Sequence, residues 1–231
     1  QGPSEYDPHL IRRLNDLCRG LPSDRRREIS QASIVLGQRW VAAEPDSPEA
    51  LKALGVSFAH LGNSLWSQDF KQARECFEKA AEILGKELER KPDDSGALYR
   101  LGHSYIILGN LAEQVNNYEQ AREYYEKAVE NFEKALERNP GNSFVLYGLS
   151  DSCNILGNLA KRVNNYEQAR ENYEKAVEIW KEERERKPND YDVLESLNYS
   201  YKSLGELAKS TKDYEQAREY YEKRLELWKK E

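Results

Sequence analysis

A period of about 48 residues runs through most of this chain. Four related segments read DFKQARECFEKAAE, NYEQAREYYEKAVE, NYEQARENYEKAVE and DYEQAREYYEKRLE. They begin at Asp69, Asn117, Asn165 and Asp213, and the interval from each start to the next is the same. A fixed period of this length is typical of a protein built from repeated supersecondary units, in which each unit packs against its neighbours.

Each unit contains two helical patterns. In the second unit, apolar residues recur at alternating spacings of three and four, first from Leu98 to Val115 and then from Tyr118 to Ala135. This spacing follows one face of a helix, because a helix has 3.6 residues per turn and a strand alternates every two. The pattern predicts an all-α fold with two helices of about 22 residues per unit.

The ends of these helices have residues that can cap them. Asn117 precedes the second helix of its unit, and Gln120 follows three positions later, in a spacing like that of a capping box. The stretch LGNLAEQVNNYEQA contains two candidate ends for the preceding helix, at Gly109 and at Asn116. Because Asn117 recurs as a cap, we expect Asn116 to end the helix and Gly109 to be a packing residue within it.

The order of large and small residues resembles the tetratricopeptide repeat. The matching positions of the second unit are Leu98, Leu101, Gly102, Tyr105, Ala121, Tyr125, Ala128 and Pro140. The resemblance implies a right-handed α-solenoid of antiparallel helical hairpins. The later units depart from the motif at Ser150, Cys153, Asn198 and Arg224.

The period exceeds the usual 34 residues of that family by about 14. Seven of the added residues are LAEQVNN, after Leu108-Gly109-Asn110, and YEKAVEN followed by FEKALER marks the other seven. Seven residues are close to two helical turns, so the added turns keep the same buried face. The unit is therefore similar to the longer repeats of kinesin light chains, and its helices extend a binding face.

The chain divides into six predicted segments. Residues 1–4 resemble the remnant of a cleaved tag, and residues 5–46 are expected to form a degenerate helical hairpin that caps the N-terminal end. Four elongated repeats follow at 47–93, 94–141, 142–189 and 190–231.

In the resembling family, the first helix of each repeat lines a concave groove. Helical spacing then gives candidate partner-binding residues, which are Lys52, Tyr99, His103, Ile106, Asn110, Tyr147, Asp151, Asn154, Asn158, Tyr199 and Lys202. The alternatives are that these are ordinary solvated positions and that the tyrosines pack along their own helix. Some relatives hold a C-terminal carboxylate in this groove. Lys52 matches that pattern but Val56 and Arg100 do not, which argues against such a clamp.

The resemblance implies a non-catalytic module that binds a partner peptide or helix. The alternative is a structural or self-assembling scaffold, natural or engineered, that associates through its C-terminal helix, where Tyr221, Leu225 and Trp228 are spaced for packing. We expect no enzyme activity, metal or cofactor. His9, His60 and His103 have no catalytic partners that spacing identifies, and no phosphate-binding glycine loop follows a strand.

Composition restricts the partners further. The net charge of −6 argues against nucleic acid, and no apolar run reaches the length of a membrane span. With no signal peptide in sight we expect a cytoplasmic location, in which the three cysteines at 18, 76 and 153 are buried reduced thiols. Six arginines cluster near the N-terminus, but acidic residues between them favour a solvated helix surface. They are Arg12, Arg13, Arg19, Arg25, Arg26 and Arg27.

Overall fold

The computed structural model describes residues 7–229, so the predicted tag remnant at residues 1–4 lies outside the described residues. This part of the chain forms ten α-helices and no strand, which confirms the all-α fold class. The helices are α1 (Pro8–Leu17), α2 (Ser23–Ala43), α3 (Pro48–Leu65), α4 (Phe70–Arg90), α5 (Ser95–Gln114), α6 (Tyr118–Arg138), α7 (Ser143–Arg162), α8 (Tyr166–Arg186), α9 (Tyr191–Ser210) and α10 (Tyr214–Glu226), with a 3₁₀ turn at Cys18–Gly20.

The chain folds into two compact units that divide after Gly141. In the first unit, successive helices from α1 to α6 pack as antiparallel neighbours, and α3 also touches both α1 and α5. In the second unit, α7 to α10 pack in the same way, and α7 touches α9. Within each unit, therefore, the first helices of successive repeats lie side by side.

The predicted caps are present at the second helix of every repeat. Oδ1 of Asn117 accepts a hydrogen bond from the backbone N–H of Gln120 over 3.2 Å, and Asn165 holds Gln168 in the same way over 3.3 Å. Such a cap satisfies one of the N–H groups that the first helical turn leaves without a partner. The Gln side chain does not return to the backbone as in a full capping box. Instead, Nδ2 of Asn117 donates to Oε1 of Gln120 over 3.2 Å.

The first helices end where the sequence predicts. Asn116 adopts a left-handed conformation with φ 59°, as do Asn164 with φ 61° and Lys212 with φ 64°. The N–H groups of Asn116 and Asn117 bond back to the carbonyls of Glu113 and Ala112, both over 2.9 Å, in a Schellman motif. The three related turns therefore use one geometry, although only two of them place Asn at the left-handed position.

Gly109 lies inside α5, and its role is to let an aromatic ring approach the helix. A β-carbon at this position would overlap the ring of Tyr125, which is fully buried. In the next repeat, a β-carbon at Gly157 would lie 2.5 Å from Cε1 of Tyr173. The expectation that Gly109 is a packing residue is therefore confirmed. The three cysteines are free and buried, as expected.

Two departures from the repeat motif compensate for each other. Asn198 replaces the small glycine and Arg224 replaces a packing alanine, and Nε of Arg224 donates to Oδ1 of Asn198 over 3.0 Å. In the third repeat, Ser150 stands at the glycine position and accepts a hydrogen bond from Nε1 of Trp180. In the third and fourth repeats, the polar residue at the glycine position therefore forms a hydrogen bond with a side chain of the second helix.

The N-terminal helices are attached to the first unit by buried polar contacts. Nδ2 of Asn15 in α1 donates to the carbonyl of Ala53 in α3 over 3.0 Å, and its Oδ1 accepts from Ser57 over 2.9 Å. Arg26 of α2 donates to the carbonyls of Cys18 and Leu21, which end the preceding turn. Arg26 is therefore a structural member of the arginine cluster, and α1 is held directly against α3.

Candidate functional site

The predicted groove residues differ widely in their exposure. His103, Asp151 and Tyr199 occupy equivalent positions in three successive repeats, and all three are exposed. The complete set divides into the exposed residues His103, Asp151, Asn158, Tyr199 and Lys202, the half-buried residues Lys52, Tyr99, Asn110 and Tyr147, and the buried residues Ile106 and Asn154. Only part of the predicted set is therefore exposed.

The half-buried tyrosines pack against the second helix of their own repeat. The rings of Tyr99 and Phe132 lie 5.8 Å apart between centroids, and those of Tyr147 and Trp180 lie 4.7 Å apart. Aromatic pairs at this separation stabilise the fold, so these tyrosines are not only candidates for partner binding. Each tyrosine therefore supports the fold of its own repeat and is only partly exposed.

Ile106 and Asn154 correct the sequence-based assignment. Ile106 is 8% exposed and Asn154 is 5% exposed, so neither offers much surface to a partner. Asn154 uses Nδ2 to reach Ser200 over 3.3 Å, which links α7 to α9 within the second unit. Asn154 is therefore buried where α7 and α9 meet.

Asn110 and Asn158 each accept a hydrogen bond from a tyrosine of their own repeat. The hydroxyls of Tyr125 and Tyr173 donate to their Oδ1 atoms, each over 2.7 Å. The amide groups of these asparagines remain at the edge of the first-helix surface. Each asparagine therefore anchors a buried tyrosine across the hairpin of its own repeat.

A pocket that the sequence did not reveal opens in the first unit. It has a volume of about 310 Å³ and lies between α1, α3, the end of α4 and the start of α5. Lys52 is at its wall, where Nζ meets the two carboxylate oxygens of Asp94 at 2.7 and 2.8 Å. The single position that matches the carboxylate clamp is therefore engaged within the chain. We call this cavity the first-unit pocket.

Three buried polar groups in or beside the first-unit pocket have no hydrogen-bond partner. They are both carboxyl oxygens of Glu87, Nε of Arg100 and Nε2 of His60. Burial, helped by Asp94, raises the pKa of Glu87 to about 7. Burial and the nearby Arg100 and Arg19 guanidiniums lower the pKa of His60 to about 4. At neutral pH, His60 is therefore uncharged and Glu87 is partly protonated.

The second unit has a smaller cavity at the corresponding place. Its volume is about 110 Å³, and Glu183 stands at the position equivalent to Glu87, two repeats further on. Glu183 is paired with Lys187 at 2.9 Å and with Arg186 at 3.5 Å. Lys91, the equivalent of Lys187, instead lies 3.6 Å from Asp94. Equivalent buried carboxylates are thus neutralised in one unit and left without an ion pair in the other.

The first-unit pocket combines residues of the repeats with residues that lie outside them. Arg12 and Arg19 precede the repeats, so no period places them near Arg100 of α5. The available signal was Glu87, a charged residue at a position where the next repeat has the packing residue Ala135. The packing of α1 onto α3 then brings these residues together.

No helix among the described residues is long and apolar enough to cross a membrane. Over the same residues, histidine, cysteine and acidic side chains form no group that could hold a metal ion.

The hairpins and their side-by-side first helices define a helical-repeat protein whose family members act as protein-interaction modules. The tetratricopeptide repeat family matches residues 101–182 and again 151–230, which together make up more than half of the chain. The chain therefore belongs to the tetratricopeptide repeat family. The Sel1 repeat family also matches, at residues 48–82.

Solved structures with this fold have low sequence identity to the chain. A putative kinesin light chain of Podosopora anserina with nearly identical tetratricopeptide-like repeats is 18% identical, with a TM-score of 0.59 and coverage of 96% of each chain. MamA from Desulfovibrio magneticus RS-1 is 20% identical, with a TM-score of 0.52 and coverage of 95% of this chain and 94% of that one. These similarities establish the fold alone. No protein of curated function matches the sequence.

Proposed function

We propose that the first-helix surfaces of each unit bind a peptide or helix of a partner protein. The observation that carries this proposal is the contrast between constant and variable positions. Residues that pack, such as Gly109 and Gly157, repeat unchanged, whereas the exposed equivalent positions hold His103, Asp151 and Tyr199. A scaffold that keeps these packing residues and varies one exposed position gives each of the last three repeats a different chemical contact.

Tyr199 is the strongest individual contact in this proposal. It is 45% exposed, and it follows Glu195 on the face of α9 that continues the row of Tyr147 and Asp151 on α7. A tyrosine offers a large rigid area and a polar tip, which suits a binding hot spot. Tyr99 and Tyr147 are less suitable for mutation because removing them also disturbs Phe132 and Trp180.

The experiment is partner capture from the native cell with a variant that truncates the three exposed positions. The variant carries His103→Ala, Asp151→Ala and Tyr199→Ala, and we expect it to lose most captured partners while its unfolding midpoint stays close to that of the wild type. The matched control truncates the exposed second-helix positions Glu126→Ala, Glu174→Ala and Glu222→Ala, which are likewise equivalent to one another in the same three repeats. Equal capture by both variants would show that the three first-helix positions do not bind the partners.

A second candidate function is self-association through the C-terminal helix. Leu225 is 68% exposed and Trp228 is 44% exposed, although Trp228 also lies 5.7 Å from the ring of Tyr191. Tyr221, the third residue of the predicted packing row, is instead used against Gly205 inside its own repeat. Light scattering over a concentration series tests this candidate. A chain that stays monomeric at high concentration would exclude self-association through the C-terminal helix.

A further inference from the structure

The first-unit pocket collects guanidinium groups from three separate elements. Arg12 comes from α1, Arg19 from the following 3₁₀ turn and Arg100 from α5, and all three line the same cavity. The N-terminal segment and α5, which are distant in sequence, therefore contribute like charges to one cavity. Arg12 and Arg19 are exposed, and Asp16 also lines the cavity, so water and one carboxylate screen part of this charge, whereas Arg100 is half-buried.

The acidic residues around the pocket are largely engaged by lysines. Asp94 is held by Lys52 at 2.7 Å and approached by Lys91 at 3.6 Å, and Lys91 also lies 3.8 Å from Glu49. Glu87 is fully buried beneath them. Asp16 and Asp94 act on Arg100 from a distance and favour a higher pKa for it, but among the described residues neither carboxylate forms an ion pair with that guanidinium.

The arginines themselves have weak partners or none. Arg19 lies 3.8 Å from Asp16 in an exposed pair, and Arg12 lies over the ring of Trp40 at 5.9 Å. No ion pair or side-chain hydrogen bond engages the guanidinium of Arg100 in the described part of the chain, and its Nε is buried. A half-buried guanidinium without a partner is costly, so an anion that reached it would recover free energy.

The electrostatic environment supports this conclusion. Burial and the proximity of Arg19 lower the pKa of Arg100. The pKa of His60 falls for a similar reason, since burial and the same two arginines oppose its protonation. Both groups therefore lie in surroundings that disfavour a further positive charge.

We propose that the first-unit pocket binds a phosphate group on a side chain of the partner, held by Arg12, Arg19 and Arg100. The inference rests on the proposed function, since it assigns one contact of the bound peptide. A phosphorylated side chain carries a charge of about −1.5 to −2 and three acceptor oxygens, which can serve two or three guanidiniums at once. A carboxylate carries a single charge and is satisfied by one bidentate arginine. The cavity of about 310 Å³ has room for one such side chain.

The test uses four probes and the full chain. The probes are inorganic phosphate, acetate, and two short blocked peptides, Gly-phosphoserine-Gly and Gly-Glu-Gly. Each is titrated at neutral pH and constant ionic strength, while NMR follows the Nε–Hε signals of the arginines. The phosphoserine peptide is expected to bind saturably and at least tenfold more tightly than the glutamate peptide, with Arg100 among the shifted signals.

Three variants identify the site. Arg100→Gln and Arg12→Gln are each expected to weaken binding of the phosphoserine peptide by tenfold or more. Arg122→Gln is the matched control, because Arg122 lies on α6 in an exposed pair with Glu126 at 3.8 Å and does not line the pocket. Circular dichroism checks each fold. If Arg100→Gln is unfolded, Arg100→Lys replaces it, since lysine keeps the charge but loses the planar fork and should still weaken binding severalfold.

Several results would overturn the proposal. Equal binding by the Arg100 variant and the wild type would show that the pocket is not the binding site. Equal binding of the two peptides would show that the pocket does not prefer a phosphate group to a carboxylate. Inorganic phosphate that binds as tightly as the phosphoserine peptide would indicate a free anion rather than a partner's side chain. The probes require no native partner, so their outcome is independent of the capture experiment with His103, Asp151 and Tyr199.

Discussion

The hydroxyl of Tyr125 donates a hydrogen bond to Oδ1 of Asn110 over 2.7 Å, and the same bond joins Tyr173 to Asn158 one repeat later. In each case the ring lies against the glycine that precedes the asparagine. The Leu-Gly-Asn segment, which first suggests a helix end, therefore works as a docking point. The glycine admits a buried tyrosine, and the asparagine satisfies its hydroxyl, which would be costly to bury alone.

Gly109→Ala tests this docking point. The added methyl group overlaps the ring of Tyr125, and overpacking of this kind costs about 1–3 kcal/mol. Alanine also favours the helix by up to about 1 kcal/mol, so we expect a net loss of about 1 kcal/mol in the free energy of unfolding. Urea unfolding of the full chain measures the change.

The matched control for this prediction is Gly85→Ala in α4. A β-carbon at Gly85 would meet nothing within 4 Å, so only the helix propensity changes. We expect a gain of about 0.5–1 kcal/mol in the free energy of unfolding. If both substitutions changed stability in the same direction, the approach of Tyr125 would not explain the glycine.

The helices and their ends could be predicted from the sequence because the information is local and repeated four times. The apolar spacing determines the buried face, and Asn116 and Asn117 carry the turn chemistry in their own side chains. Gly109 could be assigned to packing because Asn116, seven residues later, already ends the helix. Repetition turned each of these weak local signals into a strong one.

The contacts of the candidate site could not be predicted in the same way. Helical spacing placed Ile106 and Asn154 on the binding surface, but both are buried, and the contact of Asn154 with Ser200 of α9 is one that spacing within a single helix does not give. The first-unit pocket depends on α1, whose sequence has no clear place in the repeat. Pairings such as Lys52 with Asp94, which are 42 residues apart, follow from the packing of α3 against the start of α5.

Lys212 is a position at which the chain should gain stability on substitution. Its φ of 64° lies in the left-handed region, where a side chain with a β-carbon is disfavoured. Lys212→Gly should therefore raise the free energy of unfolding by about 0.5–1 kcal/mol. Lys209→Gly, placed within the last turn of α9, should lower it by about 0.5–1 kcal/mol. Thermal unfolding compares them, and a loss in both variants would contradict the role of the turn.

Glu87 should make stability depend on pH. Its pKa is raised to about 7 in the folded chain, against an ordinary value of 4.5. Below pH 4.5 both states are protonated and Glu87 imposes no penalty. As pH rises from 4.5 to 7, the unfolded chain loses its proton first, so folding becomes less favourable. Glu87→Gln should therefore raise the free energy of unfolding by about 2–3 kcal/mol at pH 8 and by little at pH 4.5.

Glu183→Gln provides the control for that prediction. Glu183 is similarly buried in its unit but is paired with Lys187 and Arg186, so its loss removes favourable contacts. We expect this substitution to lower stability at pH 8 by about 1–3 kcal/mol. Chemical unfolding at both pH values measures the two effects. A stabilising Glu183→Gln, or a Glu87→Gln effect independent of pH, would show that the two environments do not differ.

The pair of Asn198 and Arg224 shows how one repeat can leave the family motif without losing its fold. The equivalent residues in the second repeat are Gly102 and Ala128, which pack without polar groups. In the fourth repeat, the larger residues Asn198 and Arg224 take these positions, and a hydrogen bond over 3.0 Å joins Nε of Arg224 to Oδ1 of Asn198. Arg224 also lies over the ring of Tyr221, at 5.9 Å from its centroid. The two departures should therefore be energetically coupled.

A double-mutant cycle measures this coupling. Asn198→Ala and Arg224→Ala should each destabilise the chain, and the double variant should lose less than the two combined, with a coupling of about 0.5–1.5 kcal/mol. Arg218→Ala serves as the control partner, because Arg218 is exposed and pairs with Glu222 on the same helix. Its effect should add to that of Asn198→Ala within about 0.5 kcal/mol. Additivity in both cycles would mean that Asn198 and Arg224 are not energetically coupled.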